Sequence, residues 1–173
     1  MSPRLMDTIR ERRSIRRYTE EPLTPEQEQA LVESARWAPS SGNLQARKFH
    51  FIIDRALREA LVQTCFDHAW MIQAPLLVVG SVDERITEEY GEAGLTTFGV
   101  MDLSASVQNM LLAAHDLGLG ACWVCAFPPG KVKEILELPD RLHPLIMVTV
   151  GTPAEEPERP SRLDPGEVAE FIR

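Results

Sequence analysis

Disulfide cross-linking is the first thing this sequence has little means to build. It holds three cysteines, Cys65, Cys122 and Cys125, an odd and small number that gives no framework of paired bridges. Cys122 and Cys125 form a CxxC, but no second pair exists to complete a zinc site. A thioredoxin-like redox pair normally opens a helix. The stretch CWVCAF is apolar and strand-like, which favours packing or pocket lining over thiol chemistry. Long apolar runs are missing too. The stretch from Val100 to Leu119 is broken by Asp102, Gln108, Asn109, His115 and Asp116, so it reads as a buried helix and not a membrane span. The start, MSPRLMDTIRER, has no apolar segment of a secretory signal. A soluble cytoplasmic protein with no membrane partner is the expectation.

Several catalytic signatures are absent as well. No GxGxxG follows a strand, and no GxxxxGK followed by Ser or Thr occurs. His50, His68 and His143 show no metal-ligand spacing, so no metal is expected. His115 and Asp116 fall at a helix end and read as solvent or interface residues. No nucleophile elbow, serine triad or paired-carboxylate pattern is legible. If the chain is an enzyme, its hard chemistry belongs to an organic cofactor and not to a side chain.

Positive charge is scarce overall: 18 Lys and Arg face 26 Asp and Glu, a net −8. Against that deficit stands RERRSIRR, residues 10 to 17. The first 17 residues carry six arginines against Asp7 and Glu11, +4 locally, so the rest of the chain carries −12. Arg12 and Arg16 lie four apart, and Arg13 and Arg16 three apart. Guanidinium forks converging there suit phosphate oxygens, and Ser14 adds a hydroxyl. A solvated face paired to acidic residues elsewhere is the alternative. Nucleic acid is disfavoured by the acidity and the lack of interleaved aromatics.

A length of 173 residues suits one domain with a core. Leu5–Arg13 is expected to be helical. Thr24-Pro25-Glu26-Gln27 carries a cap, a first-turn proline and a capping-box glutamine, starting a helix that runs to about Trp37. Strands are expected over 48–53, 76–82, 121–126 and 145–150, with helices over 55–65 and 129–136. Residues 84–98 read as a loop or lid. Phe98–Leu117 reads as a central helix buried nearly all round, in which Gln108 and Asn109 require partners. The segment APSSGNLQAR, Ala38 to Arg47, is a turn-rich loop with Ser40, Ser41, Asn43 and Gln45 as compact hydrogen-bonding groups. The alternation gives a mixed α/β sandwich with helices on both faces.

In order along the chain, RRSIRRY, LTPEQ, APSSGNLQ, the QAP before LLVVG, GLGACW and GTPAEEPERPSR resemble the flavin-dependent nitroreductase family. The chain is similar to a compact member. The resemblance implies an α+β, three-layer α/β/α sandwich with a mixed, mainly antiparallel sheet and a buried central helix. It implies one FMN-binding domain over 1–173, its tail extended from about 152 and touching a partner subunit. It also implies an intertwined homodimer with FMN at the interface, and NADH or NADPH as donor to nitroaromatic or quinone acceptors. Specialised dehydrogenase, dehalogenase or flavin-fragmenting activity, or non-catalytic flavin binding, are the other readings. By family pattern, Arg12, Arg13, Ser14 and Arg16 hold the FMN phosphate and ribityl chain, with Arg162, and less surely Arg159, as the late phosphate ligand. Pro39, Ser40, Ser41, Asn43 and Gln45 reach the flavin from the partner subunit. Val124, Cys125 and Ala126 line the ring. The Asn and Lys that some relatives carry before the second strand have no match here, where Asp67 and Trp70 stand nearest. Arg10 and Arg17 are left to the surface.

Overall fold

The computed structural model describes residues 5–66 and 68–173. Asp67 therefore lies outside the described residues. Helix α1 spans Leu5–Glu11. Helix α2, Pro25–Arg36, starts as its sequence requires. The Thr24 hydroxyl accepts the Gln27 N–H at 3.3 Å, and the Gln27 side chain accepts the Thr24 N–H at 2.9 Å. Both orphan donors of the first turn are thereby satisfied.

The four strands are β1 (Arg47–Ile52), β2 (Leu76–Asp83), β3 (Gly120–Val124) and β4 (Leu142–Gly151). They pair in the order β1-β2-β4-β3, each pair antiparallel. The expected mixed sheet is thus antiparallel through its four strands. The parallel element among the described residues is an isolated bridge between Ser14 and Ala121. Strand β2 is buried along its whole length, because it is central and covered on both faces. Val78, Val82, Val148 and Val150 point to one side and pack on Leu31 and Ala35 of α2 and on Leu103, Val107 and Met110 of α5, Gly99–Asp116. Leu77, Val79, Met147, Cys122 and Val124 point to the other. There they meet Leu61 and Val62 of α3 (Arg55–Val62) and Val132 of α6 (Pro129–Ile135).

Three expectations need correcting. Residues 84–98 are not a loop: a 3₁₀ turn over Glu84–Ile86, a short helix α4 (Thr87–Tyr90) and a wide turn over Gly94–Phe98 fill the span. Asp83 caps the first of these by accepting the Arg85 N–H at 3.1 Å, and Ile86 anchors it in the core. Each turn is too short for its periodicity to show in sequence. The tail is also not extended throughout, since Asp164 and Glu167 form a capping box on α7, Pro165–Val168. Helix α5 is not buried all round: Met101 is 62 % exposed, and Gln108 is open on the same face. Asn109 finds its partner in the Ser34 carbonyl of α2 at 3.2 Å. No helix among the described residues is long and apolar enough to cross a membrane.

Candidate functional site

The arginine-rich segment leaves α1 and runs beside the edge strand β3. Ile15 N–H donates to the Ala121 carbonyl at 3.1 Å, and Thr19 N–H donates to the Thr152 carbonyl at 3.0 Å. The Tyr18 hydroxyl sits inside, bonded to the Ile15 carbonyl and 2.8 Å from the Thr149 hydroxyl. Burial pushes its ionisation well above the usual phenol range, so it stays a neutral donor. Glu155 takes the Arg16 and Arg17 backbone N–H groups at 2.5 and 3.2 Å. These contacts fix residues 14 to 18 from both sides, which holds the flanking arginine side chains at set positions.

The arginines do not play one role. Arg13 folds back on its own helix end, donating to the carbonyls of Arg10 and Arg12 at 2.7 and 2.9 Å and pairing with Glu11 at 3.5 Å. Such a contact satisfies the last carbonyls of α1. Arg159 also pairs with Glu11. Arg12 is different: it is half-buried, and its guanidinium is held below its ordinary pKa by burial first and then by Arg162 and Arg13. Its like-charged neighbours make the spot favourable for an anion, although Glu11, Glu155 and Glu156 line the same cavity. Ser14 follows two residues on, where the segment bridges to Ala121 of β3. The Arg16 guanidinium lies 6.0 Å over the Trp70 ring, and Trp70 packs on Ile15, Tyr18 and Ala74. A cavity of about 560 Å³ opens between Ile9, Arg10, Arg13 and the tail residues Arg159 to Arg162. Arg10, assigned to the surface by sequence, therefore lines this cavity, as does Arg159.

At the other end of β3, Val124 is buried while Cys125 and Ala126 are exposed. The Trp123 indole N–H donates to the Cys125 sulfur at 2.9 Å. From Ala121 to Ala126 the chain covers roughly 17 Å if extended, which suits an elongated ligand with its anionic end at the arginines. Cys122 is 3 % exposed, and burial pushes its thiol up, as it does for Cys65. All three cysteines are free. Brief alkylation near neutral pH is therefore expected to label Cys125 ahead of the other two, read by peptide mass spectrometry. Equal labelling of Cys122 would contradict its burial.

The loop from Pro39 to Gln45 is built at the opposite end of α5. Ser40 accepts the Gln45 N–H at 3.0 Å, and Ser41 donates its N–H and its hydroxyl to Asp102. Gly42, Asn43 and Gln45 hold left-handed backbone at φ 54, 57 and 52°. A Cβ on Gly42 would come within 2.8 Å of the Tyr90 hydroxyl, so a larger residue would need that side chain to shift and would hold a strained φ. Pro39, Asn43 and Gln45 line a separate cavity of about 280 Å³ with Arg36 and Trp37. Arg12 and Arg13 line a different cavity, of about 320 Å³, with His115 and Gly118 at the far end of α5. From Asp102 to His115 the helix rises roughly 20 Å. One chain therefore brings Arg12, Ser14, Arg16 and Arg162 together with β3 but keeps the 39–45 loop apart from them.

Sequence reasoning missed Arg10, Glu155, Arg47 and Asp102 as shaping residues. Asp102 alone left a trace, as a carboxylate interrupting an apolar helix.

A model of the Nitroreductase family matches residues 9–70 and 64–152. The chain is 36 % identical over 159 residues to the oxygen-insensitive NADPH nitroreductase of Salmonella typhimurium, covering 87 % of this chain and 66 % of that protein. The chain thus spans just under two thirds of that relative's length. It is 30 % identical over 168 residues to the NADPH-flavin oxidoreductase of Vibrio harveyi, covering 91 % of this chain and 69 % of the relative. The solved NADPH:FMN oxidoreductase of Vibrio harveyi, complexed with NAD+, superposes with a TM-score of 0.88 at 29 % identity, covering 98 % of this chain and 77 % of that one. An FMN-dependent nitroreductase of Clostridium difficile shares the fold over 97 % of this chain and 99 % of its own, with a TM-score of 0.84 at 23 % identity.

Proposed function

This chain belongs to the nitroreductase family, and on that premise we propose that it is an FMN-dependent oxidoreductase using NADH or NADPH. FMN, when bound, would supply two-electron redox chemistry between the nicotinamide donor and a nitroaromatic or quinone acceptor. The chain's own residues bind, orient and shield. One observation carries the reading: a half-buried Arg12, with Arg162 and Arg13 as like-charged neighbours, stands on the segment that Ser14 bridges to β3.

In this reading the guanidinium groups of Arg12, Arg16 and Arg162 would neutralise the phosphate dianion, and the Ser14 hydroxyl would donate to it. Arg13 closes the end of α1 beneath them. Val124, Cys125 and Ala126 would line the ring and offer it a backbone N–H. Trp70, held against Arg16, walls the same side.

The 39–45 loop completes the site from a second subunit. Its separation from the arginines along α5 supports this, since neither end of the helix can serve both halves. The apolar groups left open in one chain support it too: Met101 on α5, Leu5 and Ile9 on α1, and Phe171 and Ile172 in the tail. We infer an intertwined homodimer in which these faces close on each other, with helices layered over both sheet faces. Three free thiols suit the cytoplasm.

Colour and turnover test the proposal. The purified protein should be yellow, release FMN on denaturation, and oxidise NADH or NADPH with a nitroaromatic or quinone. Colourless protein that refuses added FMN sinks the reading, as does no turnover with either nucleotide. The particle should weigh near twice 19.4 kDa, and a monomer that retains flavin would refute the shared site.

A further inference from the structure

We propose that Asp102 is a positioning residue for flavin binding, clamping the 39–45 loop in the shape that serves a neighbouring flavin; this rests on the reading that the loop contacts FMN. Asp102 is 6 % exposed on a helix whose inner face is apolar. A carboxylate buried there is costly unless its oxygens find donors. It finds them in one residue. The Ser41 N–H lies 3.0 Å from both carboxylate oxygens, and the Ser41 hydroxyl donates at 2.9 Å. Bonds to an ionised acceptor are the strong kind.

The loop needs such a clamp. Asn43 and Gln45 both hold left-handed backbone, which L-residues with side chains avoid unless surrounding contacts over-determine it. Arg47 grips the entry through the Ala38 and Pro39 carbonyls at 2.7 and 3.3 Å. Arg85 grips the exit through the Gln45 carbonyl at 2.7 Å. Between them, Asp102 fixes the apex. The side chains of Asn43 and Gln45 are left exposed, presented outward by a frame that their own chain supplies. Without Asp102, the cost of ordering this frame falls on ligand binding. Asp102 acts through the loop and does not itself touch the ligand.

The test is FMN titration of the full-length deflavinated protein, followed by flavin fluorescence, with the thermal midpoint of the apoprotein recorded alongside. Asp102→Ala is expected to raise the Kd about tenfold or more. Asp102→Asn should lose less, because its amide oxygen still accepts the Ser41 N–H. In a double-mutant cycle, Asp102→Ala should add little to the loss already caused by Asn43→Ala, since both act through one loop. Full additivity would overturn the proposal, and so would an Asp102→Ala Kd within about twofold of wild type. If Asn43→Ala keeps the wild-type Kd, the loop reading fails and takes the clamp with it. If Asn43→Ala weakens binding and Asp102→Ala does not, the clamp alone fails. Should Asp102→Ala not fold, Ser41→Ala removes only the hydroxyl arm and carries the same cycle.

Discussion

The double variant Arg12→Ala, Arg16→Ala is expected to emerge from purification without flavin. Each guanidinium bonded to a phosphate is worth about 1.5–3 kcal/mol. Losing two therefore costs about 3–6 kcal/mol, or roughly 10²–10⁴ in FMN affinity. The fold should survive. The backbone of this segment is held by Ile15 on Ala121, by Thr19 on Thr152 and by the buried Tyr18 hydroxyl, none of which uses an arginine side chain. Removing Arg12 even relieves a half-buried cation of its repulsion from Arg162 and Arg13. The apoprotein should melt within a few degrees of the parent apoprotein while its flavin titration fails. Arg17→Ala, whose side chain points to solvent, serves as the control and should stay yellow. Salt sharpens the comparison, because screening weakens the exposed Arg16 contact more than the half-buried Arg12 one. Flavin retention in the double variant would remove the phosphate assignment.

That experiment separates what was legible from what was not. The basic cluster stood out because the rest of the chain is acidic, and Ser14 stood out by its place within it. Division of labour within the cluster was invisible. Whether a guanidinium turns back on helix carbonyls, as Arg13 does, or waits for an anion depends on how α1 meets the tail at Arg159 and Arg162. The loop tells the same story. Its glycine and serines announced a turn, but Ser41 is committed to Asp102, 61 positions away. Among the elements, α2 was readable because caps are local chemistry, and β2 because a strand buried on both faces is mostly apolar. The turns between 84 and 98 were not, since their order comes from Ile86 in the core and from Tyr90 packed at a tilt against Phe98. The open face of α5 was misread for a related reason. Sequence marks a face as apolar without saying whether its cover lies in the same chain.

Gly120→Ala is expected to damage stability and flavin binding together, because it strikes the seam between sheet and site. A Cβ at Gly120 would lie 2.7, 2.8 and 2.9 Å from three side-chain atoms of Ile15, among them its own Cβ. No rotamer change moves that atom away, so the backbone of the arginine segment must lift from β3. Overpacking of this kind costs about 1–3 kcal/mol, which for a chain of this size lowers the melting midpoint by roughly 2–12 °C. Ile15 sits between Ser14 and Arg16, so the same shift carries both away from the proposed phosphate site. The FMN Kd should rise along with the loss of stability, unlike in the arginine double variant, where the apoprotein holds. Gly130→Ala provides the contrast: a Cβ there meets nothing within 4 Å, on a helix that gains from alanine. Its midpoint should hold or rise slightly, with flavin affinity unchanged. A Gly120→Ala protein with the parent midpoint and the parent Kd would mean that the segment is not seated on β3 through Ile15. The coupling between the packing of this edge and the placing of the arginines would then be lost.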